Sequence, residues 1–582
     1  MGQRFFAKLT AAAALLIAGL AAYSSSAASA PLQLWYWHRS YLITDEAVVS
    51  SKALIDRAAK CGYTGVAFWE NSFFYLSDAF WPRANVERLR NVMQYAARKG
   101  LHVMALGAPF GWSNPALVTN GNLAEGQRVI GAKFKVDSSG KKLEFLNTLN
   151  PLKNSGFEEG REEWFDTGDK AIGISHVAHT GKNSVVIVDA PGNARFRQKI
   201  SLTPWRQYHL SLWFKSEKFQ GPAAVEVLDF WHRKQNRFYT ELPSAGTHEW
   251  MKLDYTFDSQ ETAWAYLYVG IWGRSSGVLW FDDIQLEETA PVYVVRRPGA
   301  PLQVYDPNDA RMVYEEGKDF NYVSDPVLGP GRAVFRDVYH SPVRVSLPAS
   351  TRLRPGQTVA MDFYAVFPIP QDEQVGMCLT YPGVFHWLTQ NAAALQAIMP
   401  PGGEVLLSYD EMRQANSCAS CRSKQMSAGE LLAWNVRKTA LLYQAAMPKT
   451  PLYVWSDMFD PNHNARENYF YVEGDLAGSW KGLPADVGVL NWNHGHLRSS
   501  LAWFAGLDRR QPVPHQQIIA GYYDTGKGES AAEDFATARG VPGIQGIMYV
   551  TWREDYTQLE AFAASAAKAW NSYQTSVVSS PK

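Results

Sequence analysis

Strands and helices alternate along the chain after residue 31, and this alternation constrains the fold more than any other feature. The segments 32–38 (LQLWYWH), 64–70 (TGVAFWE) and 101–107 (LHVMALG) have the apolar, aromatic-rich composition of strands. Helical patterns follow the first two of them. Alternation of this kind is typical of a parallel sheet. At this chain length it predicts an α/β fold built on a (β/α)₈ TIM barrel.

The alternation stops after residue 107 and resumes at residue 358. Short strands separated by turns fill 154–288, and a second β-rich stretch covers 291–358. This spacing predicts an all-β jelly-roll sandwich inserted into the barrel. The resumed pattern would bring the count of barrel strands to nine, so we assign 358–367 to the inserted sheet.

The predicted organisation has five parts. They are a signal peptide (1–30), a first barrel segment (31–150), the β-sandwich (151–290), a β-rich linker (291–358) and a second barrel segment with the catalytic residues (359–575).

The N-terminus has the pattern of a secretory signal peptide. Arg4 and Lys8 precede an apolar stretch, and small residues lead to Ala30, after which we expect cleavage. The apolar stretch is shorter than the roughly 20 residues of a membrane span. We therefore predict a secreted or periplasmic protein with no membrane span after cleavage.

The charge of the chain is balanced, with 56 Lys and Arg against 56 Asp and Glu. No net field attracts nucleic acid, so we expect a neutral partner. Aromatic residues make up 13% of the sequence. Such residues stack on sugars, although a large β-rich core accounts for the same number.

Polar and aromatic residues follow most predicted barrel strands. In a (β/α)₈ barrel these positions form one rim, which is the active-site face. A lone carboxylate after a strand is more often a helix cap, but seven strand ends that carry polar residues beside Trp or Tyr favour glycoside hydrolysis. The candidates are His38, Arg39, Trp69, Asp410, Glu411, Trp455, Asp457, Trp492, Asn493, Tyr522, Tyr523, Asp524, Trp552 and Glu554.

One segment resembles a known family. Residues 376–411, which end in the sequence EVLLSYDE, resemble the part of glycoside hydrolase family 20 that runs through a helix into an Asp-Glu pair. The later segments YVWSDMF, GYYD and YVTWRED resemble that family's strand ends in type and order. The family's usual Gly-Gly before Asp-Glu is Ser408-Tyr409 here. The resemblance covers about half the chain, chiefly 376–570.

This resemblance implies an exported β-N-acetylhexosaminidase-like enzyme that removes β-linked N-acetylhexosamine by substrate-assisted retaining hydrolysis. Glu411 would be the general acid, and Asp410 would orient the acetamide that attacks the anomeric carbon. Tyr523 or Tyr522 would hydrogen-bond the acetamide oxygen. The remaining candidates would bind the oligosaccharide or polysaccharide substrate, with three tryptophans as walls of the pocket.

The residues themselves leave two alternatives open, namely a β-glycosidase acting on non-acetylated polysaccharide and a non-catalytic polysaccharide-binding protein. Adjacent carboxylates are poorly placed for an enzymatic nucleophile, which needs a partner about 5–5.5 Å away across the sugar. This favours the substrate-assisted mechanism. We also predict that Asp410 and the aromatic walls raise the pKa of Glu411.

The two ends of the sandwich, NSGFEEGREEWFD (154–166) and VLWFDDIQLEE (278–288), resemble carbohydrate-binding modules of families 4 and 9. The resemblance allows a structural calcium ion near Glu158 and Asp283, and no cofactor is required for hydrolysis. Seven tryptophans either form a sugar-binding face or fill the core: Trp205, Trp213, Trp231, Trp250, Trp264, Trp272 and Trp280.

Cys418 and Cys421 form a Cys-x-x-Cys pair shortly after the acidic pair. In an exported chain this favours a disulfide over half of a zinc site, because no second pair of this kind exists. Cys378 and His386 are near enough in sequence to keep a metal site as the alternative, but no metal ligand is assigned.

Overall fold

A computed structural model describes residues 31–147, 152–166, 169–230, 235–332, 339–370, 373–522, 524 and 530–578. The predicted signal peptide, Trp231 and Tyr523 lie outside these residues. Within them, no helix combines the length and apolar character needed to cross a membrane.

Three strands and three helices begin the described chain. The strands are β1 (Gln33–Arg39), β2 (Gly65–Trp69) and β3 (His102–Phe110); the helices are α1 (Asp45–Lys60), α2 (Arg83–Arg98) and α3 (Asn114–Leu117). The Thr44 side chain accepts a hydrogen bond from the backbone N–H of Ala47 and so caps α1. The apolar face of α2 packs against β3.

Fifteen strands follow before the next long helix. They are β4 (Gly126–Val136), β5 (Lys142–Phe145), β6 (Ile172–Ser175), β7 (Ser184–Val188), β8 (Ala194–Ser201), β9 (Gln207–Gln220), β10 (Ala223–Asp229), β11 (Gln235–Glu241), β12 (Gly246–Asp258), β13 (Trp264–Ile271), β14 (Ser276–Thr289), β15 (Gln303–Asp306), β16 (Asp309–Tyr314), β17 (Val345–Ser346) and β18 (Thr358–Val366).

The last part of the chain again mixes helices and strands. Its elements are α4 (Pro382–Ile398), β19 (Glu404–Ser408), β20 (Gln414–Ala415), α5 (Ala419–Arg422), α6 (Ala428–Ala446), β21 (Leu452–Trp455), β22 (Tyr471–Val472), β23 (Val487–Asn491), α7 (Leu497–Phe504), β24 (Gln517–Tyr522), α8 (Ala531–Thr537), β25 (Ile544–Val550) and α9 (Leu559–Val578).

Eight parallel strands form a closed barrel in the order β1-β2-β3-β19-β21-β23-β24-β25. Pairing of β1 with β25, for example Trp35 opposite Met548, closes the ring. Trp37 is fully buried inside it. Its ring lies 5.4 Å from the rings of Trp455 and Trp552, and so fills the barrel below its carboxyl-terminal rim.

The predicted fold class, an α/β chain built on a (β/α)₈ TIM barrel with one jelly-roll insertion, was wrong. The described residues contain 25 strands and nine α-helices, which is too few helices for that fold. No α-helix connects β21 to β23 within the described residues, because two 3₁₀ turns and β22 occupy this connection. The apolar strand patterns predict the barrel strands, but they do not predict whether a helix or an irregular segment connects two of them.

The inserted strands form two separate units. A four-stranded sheet (β11-β10-β13-β8) packs on a five-stranded sheet (β12-β9-β14-β7-β6) around a core that includes Phe196, Leu210 and Phe281. This is the antiparallel sandwich that the spacing of short strands predicts. A six-stranded sheet (β16-β15-β18-β4-β5-β17) has its own core. It contains β18, as the strand count predicted, and also β4 and β5, which the domain prediction placed in the first barrel segment.

The insertion leaves the barrel and returns to it at one narrow neck. Ala124 and Met377 form a β-bridge. The backbone N–H of Glu125 donates to the carbonyl of Gly376 at 2.7 Å, and that of Cys378 donates to Leu123 at 2.9 Å. The chain segments that enter and leave the insertion are therefore hydrogen-bonded to each other where they meet the barrel.

Gly111, which follows β3, allows the backbone of Asp410 to approach. Its φ is +101°, and a Cβ there would lie 1.8 Å from the carbonyl oxygen of Asp410. We expect Gly111→Ala to lower the melting temperature more than Gly402→Ala, since Gly402 has a φ of +75° but open space around it. The control should show only the left-handed backbone cost of about 1–2 kcal/mol. Equal melting temperatures for the two variants would contradict this packing.

Candidate active site

A cavity of about 810 Å³ opens at the carboxyl ends of the barrel strands. Segments at the ends of all eight strands contribute to its wall, which follows from the closure of the barrel. The lining residues are Arg39, Trp69, Trp112, Asp410, Glu411, Trp455, His463, Trp492, Asn493, His494, Gly495, Ala520, Gly521, Tyr522, Val550 and Trp552. Nine of the fourteen predicted rim residues are among them.

Asp410 and Glu411 both face this cavity although they are adjacent in sequence. Side chains of neighbouring residues in a strand point to opposite faces, but β19 ends at Ser408. Ser408, Tyr409 and Glu411 then have φ values of 59°, 63° and 40°. Left-handed backbone at non-glycine residues costs about 1–3 kcal/mol each. This turn is what brings both carboxyls to the cavity.

Tyr409 anchors the turn from below. Its side chain is fully buried, its hydroxyl donates to Asn435 Oδ1 at 2.6 Å, and its ring stacks on Phe110 with centroids 5.0 Å apart. It is not among the residues that line the cavity. Tyr409 therefore acts on the position of the acidic pair rather than on a ligand.

Asp457 lies beneath the acidic pair and accepts three hydrogen bonds. The donors are the backbone N–H of Glu411 (2.9 Å), Asn464 Nδ2 (3.0 Å) and Trp492 Nε1 (3.3 Å). The side chain is fully buried and does not line the cavity. The sequence predicted Asp457 as a substrate-binding residue, whereas the structure places it as the support of Glu411 and Trp492.

Burial raises the pKa values of all three carboxyls, and a neighbouring carboxylate adds to the rise at Glu411 and Asp410. Burial, followed by the charge of Asp457, raises the pKa of Glu411 from 4.5 to about 7. Burial, Asp457 and Glu411 raise the pKa of Asp410 well above its usual range. Burial also raises the pKa of Asp457. The predicted rise for Glu411 is present, but Asp457 rather than Asp410 is the carboxylate that contributes to it.

Arg413 opposes this effect at Glu411. Its Nη2 lies 2.9 Å from Glu411 Oε2, and this ion pair favours the charged form of the carboxyl. Burial and Asp457 outweigh it, since the pKa still rises to about 7. The Asp410 carboxyl group, by contrast, accepts no hydrogen bond from the described residues and faces the cavity.

Four predicted residues lie elsewhere or are not described. His38 packs behind the barrel wall, where it contacts Ser51 Oγ at 2.9 Å and burial lowers its pKa to about 4. Asp524 accepts hydrogen bonds from the backbone of Trp552 (2.6 Å) and Arg553 (3.1 Å), so it holds the turn after β25. Glu554 is exposed and does not line the cavity. Tyr523 lies outside the described residues.

Sequence reasoning missed Trp112 and His463 among the residues that line the cavity. Trp112 follows β3 in the sequence PFGWSN, which repeats the pattern of an aromatic residue after an apolar strand and could have been found. His463 comes from the long irregular connection after β21, and its ring lies 4.4 Å from that of Trp492. Nothing local in the sequence indicates that contact.

The predicted disulfide between Cys418 and Cys421 is not formed in the structure. Both thiols are free and buried, and Cys378 Sγ lies 3.6 Å from each of them. The third cysteine comes from the neck of the insertion, 40 residues earlier in the sequence than Cys418. Cys418 and Cys421, which their spacing predicts as a pair, therefore belong to a group of three cysteines.

Two of the predicted tryptophans of the sandwich lie on one outer face. Trp264 and Trp272 are half-buried, and their rings lie 4.2 Å from Lys199 and 5.0 Å from Arg195 of β8. Trp213 stacks on His179 with centroids 3.8 Å apart, and Trp280 is buried. Trp250 also contacts His179, and Trp205 lies under Arg128.

The predicted calcium site remains a prediction. Glu158 Oε1 accepts hydrogen bonds from the backbone of Lys182 (2.8 Å) and Asn183 (3.0 Å). Asp283 pairs with His179 at 2.6 Å.

No protein-family model and no curated protein matches the chain. Solved structures are similar to about a quarter of it. A family 61 carbohydrate-binding module in complex with β-1,4-galactotriose is 27% identical, with 24% of this chain and 98% of that chain covered and a TM-score of 0.21. A family 16 module is 20% identical over 24% of this chain and 99% of that one (TM-score 0.21). The family 22 xylan-binding domain of Paenibacillus barcinonensis Xyn10C is 14% identical over 25% and 95% (TM-score 0.20).

The raised pKa of Glu411 makes the stability of the protein depend on pH. The folded state keeps a proton on this carboxyl between pH 4.5 and about 7, where the unfolded chain releases it. Its contribution to the free energy of unfolding is thus present below pH 4.5 and lost as the pH rises through 7. We expect denaturant unfolding at pH 5 and pH 8 to show a smaller loss of stability in Glu411→Gln than in the wild type.

The exposed Glu554→Gln is the matched control and should keep the full wild-type loss. An unchanged loss in Glu411→Gln would show that this carboxyl titrates normally.

Proposed function

We propose that the protein is an exported glycoside hydrolase with Glu411 as its general acid. One observation carries this proposal, namely a carboxyl with a pKa of about 7 in a cavity walled by indole rings. A general acid works best when its pKa is close to the working pH, because it is then both protonated and able to release the proton. Burial beside other carboxyls is the usual way to reach that value.

The shape and chemistry of the cavity suit a sugar. Its volume of about 810 Å³ lies in the range of about 300–1,000 Å³ that is common for ligand sites. Four tryptophans that the sequence predicted contribute to the wall: Trp69, Trp455, Trp492 and Trp552. Apolar rings pack on the C–H faces of a pyranose, while Arg39 and Asn493 can hydrogen-bond its hydroxyls. A neutral glycan can therefore pack on the indole rings and hydrogen-bond the polar side chains of the cavity.

The proton of Glu411 would be transferred to the glycosidic oxygen as its bond to the anomeric carbon breaks. The leaving sugar takes that proton, and Glu411 is left as a carboxylate next to Arg413, which stabilises it. A water molecule then attacks the anomeric carbon and returns a proton to Glu411. Asp457 keeps the backbone of Glu411 in place through its 2.9 Å hydrogen bond and is a positioning residue.

The finer proposal concerns the nucleophile. Asp410 adjoins Glu411 on one turn, so the two carboxyls are not arranged across a sugar ring as an enzymatic nucleophile requires. Asp410 offers a carboxyl group that has no hydrogen-bond donor among the described residues, and its carbonyl oxygen can accept a hydrogen bond whether or not the group is protonated. It can accept the N–H of an acetamide group, whose oxygen would attack the anomeric carbon. We therefore propose a terminal β-linked N-acetylhexosamine as the substrate and a substrate-assisted mechanism.

Activity on aryl β-glycosides tests this assignment. We expect cleavage of an aryl N-acetyl-β-hexosaminide, with a rate that falls above pH 7 as Glu411 loses its proton. Glu411→Gln should lower kcat by about 10²–10⁴-fold, the usual contribution of a general acid. Glu554→Gln, an exposed carboxylate outside the cavity, should keep wild-type activity.

Three outcomes separate the alternatives. Full activity in Glu411→Gln would refute Glu411 as the acid. Cleavage of aryl glycosides without the N-acetyl group, at an equal or higher rate, would refute the substrate-assisted mechanism but keep hydrolysis. Binding of glycans without cleavage of any substrate would identify a non-catalytic polysaccharide-binding protein.

A second function, glycan binding by the sandwich, is favoured by the outer face of its four-stranded sheet. Trp264, Tyr266 and Tyr268 alternate along β13, and their ring centroids follow one another at 5.9 and 6.1 Å. Cations from β8 lie beside these rings, with Lys199 4.2 Å from the Trp264 ring and Arg197 4.5 Å from that of Tyr266. Aromatic rings with hydrogen-bond donors between them suit the C–H faces and hydroxyls of a glycan chain.

Binding to insoluble polysaccharides tests this face separately from the cavity. We expect the double variant Trp264→Ala/Tyr266→Ala to lose retention on a polysaccharide that holds the wild type, while hydrolysis of a small aryl substrate is unchanged. Tyr322→Ala, which removes an exposed aromatic side chain outside the sandwich, is the control and should bind as the wild type does. Equal retention of the double variant would refute the role of this face.

A further inference from the structure

Four potential metal ligands meet away from the cavity. Glu125, Cys378, Cys418 and Cys421 are all buried, and one ligand atom from each lies within 4.8 Å of the others. Cys378 Sγ is 3.6 Å from the other two sulfurs, and Cys421 Sγ is 3.5 Å from Glu125 Oε2. This group combines the three cysteines with a carboxylate that sequence reasoning did not connect with them.

These three distances are close to the corresponding edges of a zinc tetrahedron. Zinc–sulfur bonds of about 2.3 Å place two sulfurs about 3.8 Å apart, and a zinc–oxygen bond of about 2.1 Å places a sulfur and an oxygen about 3.6 Å apart. The observed values are 3.6 Å and 3.5 Å. A disulfide needs its sulfurs at about 2.05 Å, and it could join only two of the three thiols.

Neighbouring groups hold the ligands in this orientation. Glu125 Oε1 accepts hydrogen bonds from the backbone N–H groups of Ser417 and Cys418, each at 2.8 Å, and from Ser417 Oγ at 3.1 Å. Its other oxygen is thereby directed at the sulfurs. Arg297 Nη2 lies 3.5 Å from Cys418 Sγ, and its positive charge favours the thiolate form. Hydrogen bonds of this kind to metal ligands fix their geometry and raise affinity.

The Thr380 hydroxyl approaches the same group. Its Oγ1 donates to Cys421 Sγ at 3.4 Å and lies 3.7 Å from Cys378 Sγ. Thr380 and Arg297 thus place one donor each beside Cys421 and Cys418, and such donors favour the thiolate form that binds a metal ion.

We propose that Glu125, Cys378, Cys418 and Cys421 bind one structural Zn²⁺ ion. Three thiols lose their protons on binding, so the site has three thiolates, one carboxylate and the metal, with a net charge of −2 that Arg297 reduces to −1. All four positions are protein ligands and all are buried, which is typical of structural rather than catalytic zinc. Thiolate-rich ligand sets of this geometry select zinc among common divalent ions.

The position of the site gives it a mechanical role. Glu125 and Cys378 stand on the two chain segments of the neck, where the insertion leaves the barrel and returns to it. Cys418 and Cys421 follow Glu411 by seven and ten residues. The metal would join the neck to the loop that follows the acidic pair. This inference does not depend on the proposed glycan chemistry.

Metal analysis of the full chain tests the proposal. We expect one equivalent of zinc per chain after extensive dialysis, measured by inductively coupled plasma mass spectrometry. Cys421→Ser and Glu125→Gln should each lower the zinc content, while Cys61→Ser, which removes the cysteine outside the group, should keep one equivalent. Replacement of zinc by Co²⁺ should give the sulfur-to-cobalt charge-transfer absorption of thiolate ligation.

A second measurement uses only the wild type, so it tests the proposal even if the variants fail to fold. The three thiols should resist alkylation in the native protein and become reactive when a chelator removes the zinc, with a lower melting temperature. Absence of bound metal, or a disulfide among Cys378, Cys418 and Cys421 found by mass spectrometry of the untreated protein, would overturn the proposal. One equivalent of zinc retained in Cys421→Ser would also overturn it.

Discussion

Closure of the eight-stranded barrel is the constraint on which the remaining features depend. β1 pairs with β25 across about five hundred residues of sequence, and this pairing brings the carboxyl ends of all strands to one rim. Trp37 fills the interior beneath that rim, in contact with Trp455 and Trp552. The indole walls of the cavity are therefore continuous with the barrel core, so packing rather than loop structure sets their positions. A change in the core should be transmitted to the site.

Exclusion of water from the carboxyls at this rim gives the site its chemistry. Asp410, Glu411 and Asp457 all have raised pKa values, and burial is the largest cause for each. Asp457 has three hydrogen-bond donors, so its anion is the best stabilised of the three. Protons are then held most readily by the two carboxyls that face the cavity. The left-handed turn at 408–411 makes this possible, and its conformational cost is offset by the anchoring of Tyr409 on Asn435 and Phe110.

The residues at the strand ends were predictable from the sequence, whereas most contacts made by the segments that connect the strands were not. An apolar run followed by Trp or a carboxylate is a local pattern, and it led to Trp69, Glu411, Trp492 and Trp552. The role of Asp457 was missed because its partners, such as Asn464, lie in an irregular segment without periodicity. His38 was misplaced because alternation along β1 decides which side of the wall it faces. The cysteine group could not be found locally, since Glu125 and Cys378 meet only where the insertion closes on itself.

The protonation state of Glu411 is the central claim, and a titration of that carboxyl by carbon-13 NMR tests it most directly. Glutamate labelled at its side-chain carboxyl carbon would be incorporated into the wild type and into Glu411→Gln, so that the missing signal assigns the residue. The account predicts a midpoint near pH 7 for this signal. A midpoint near 4.5, the usual value for glutamate, would contradict it.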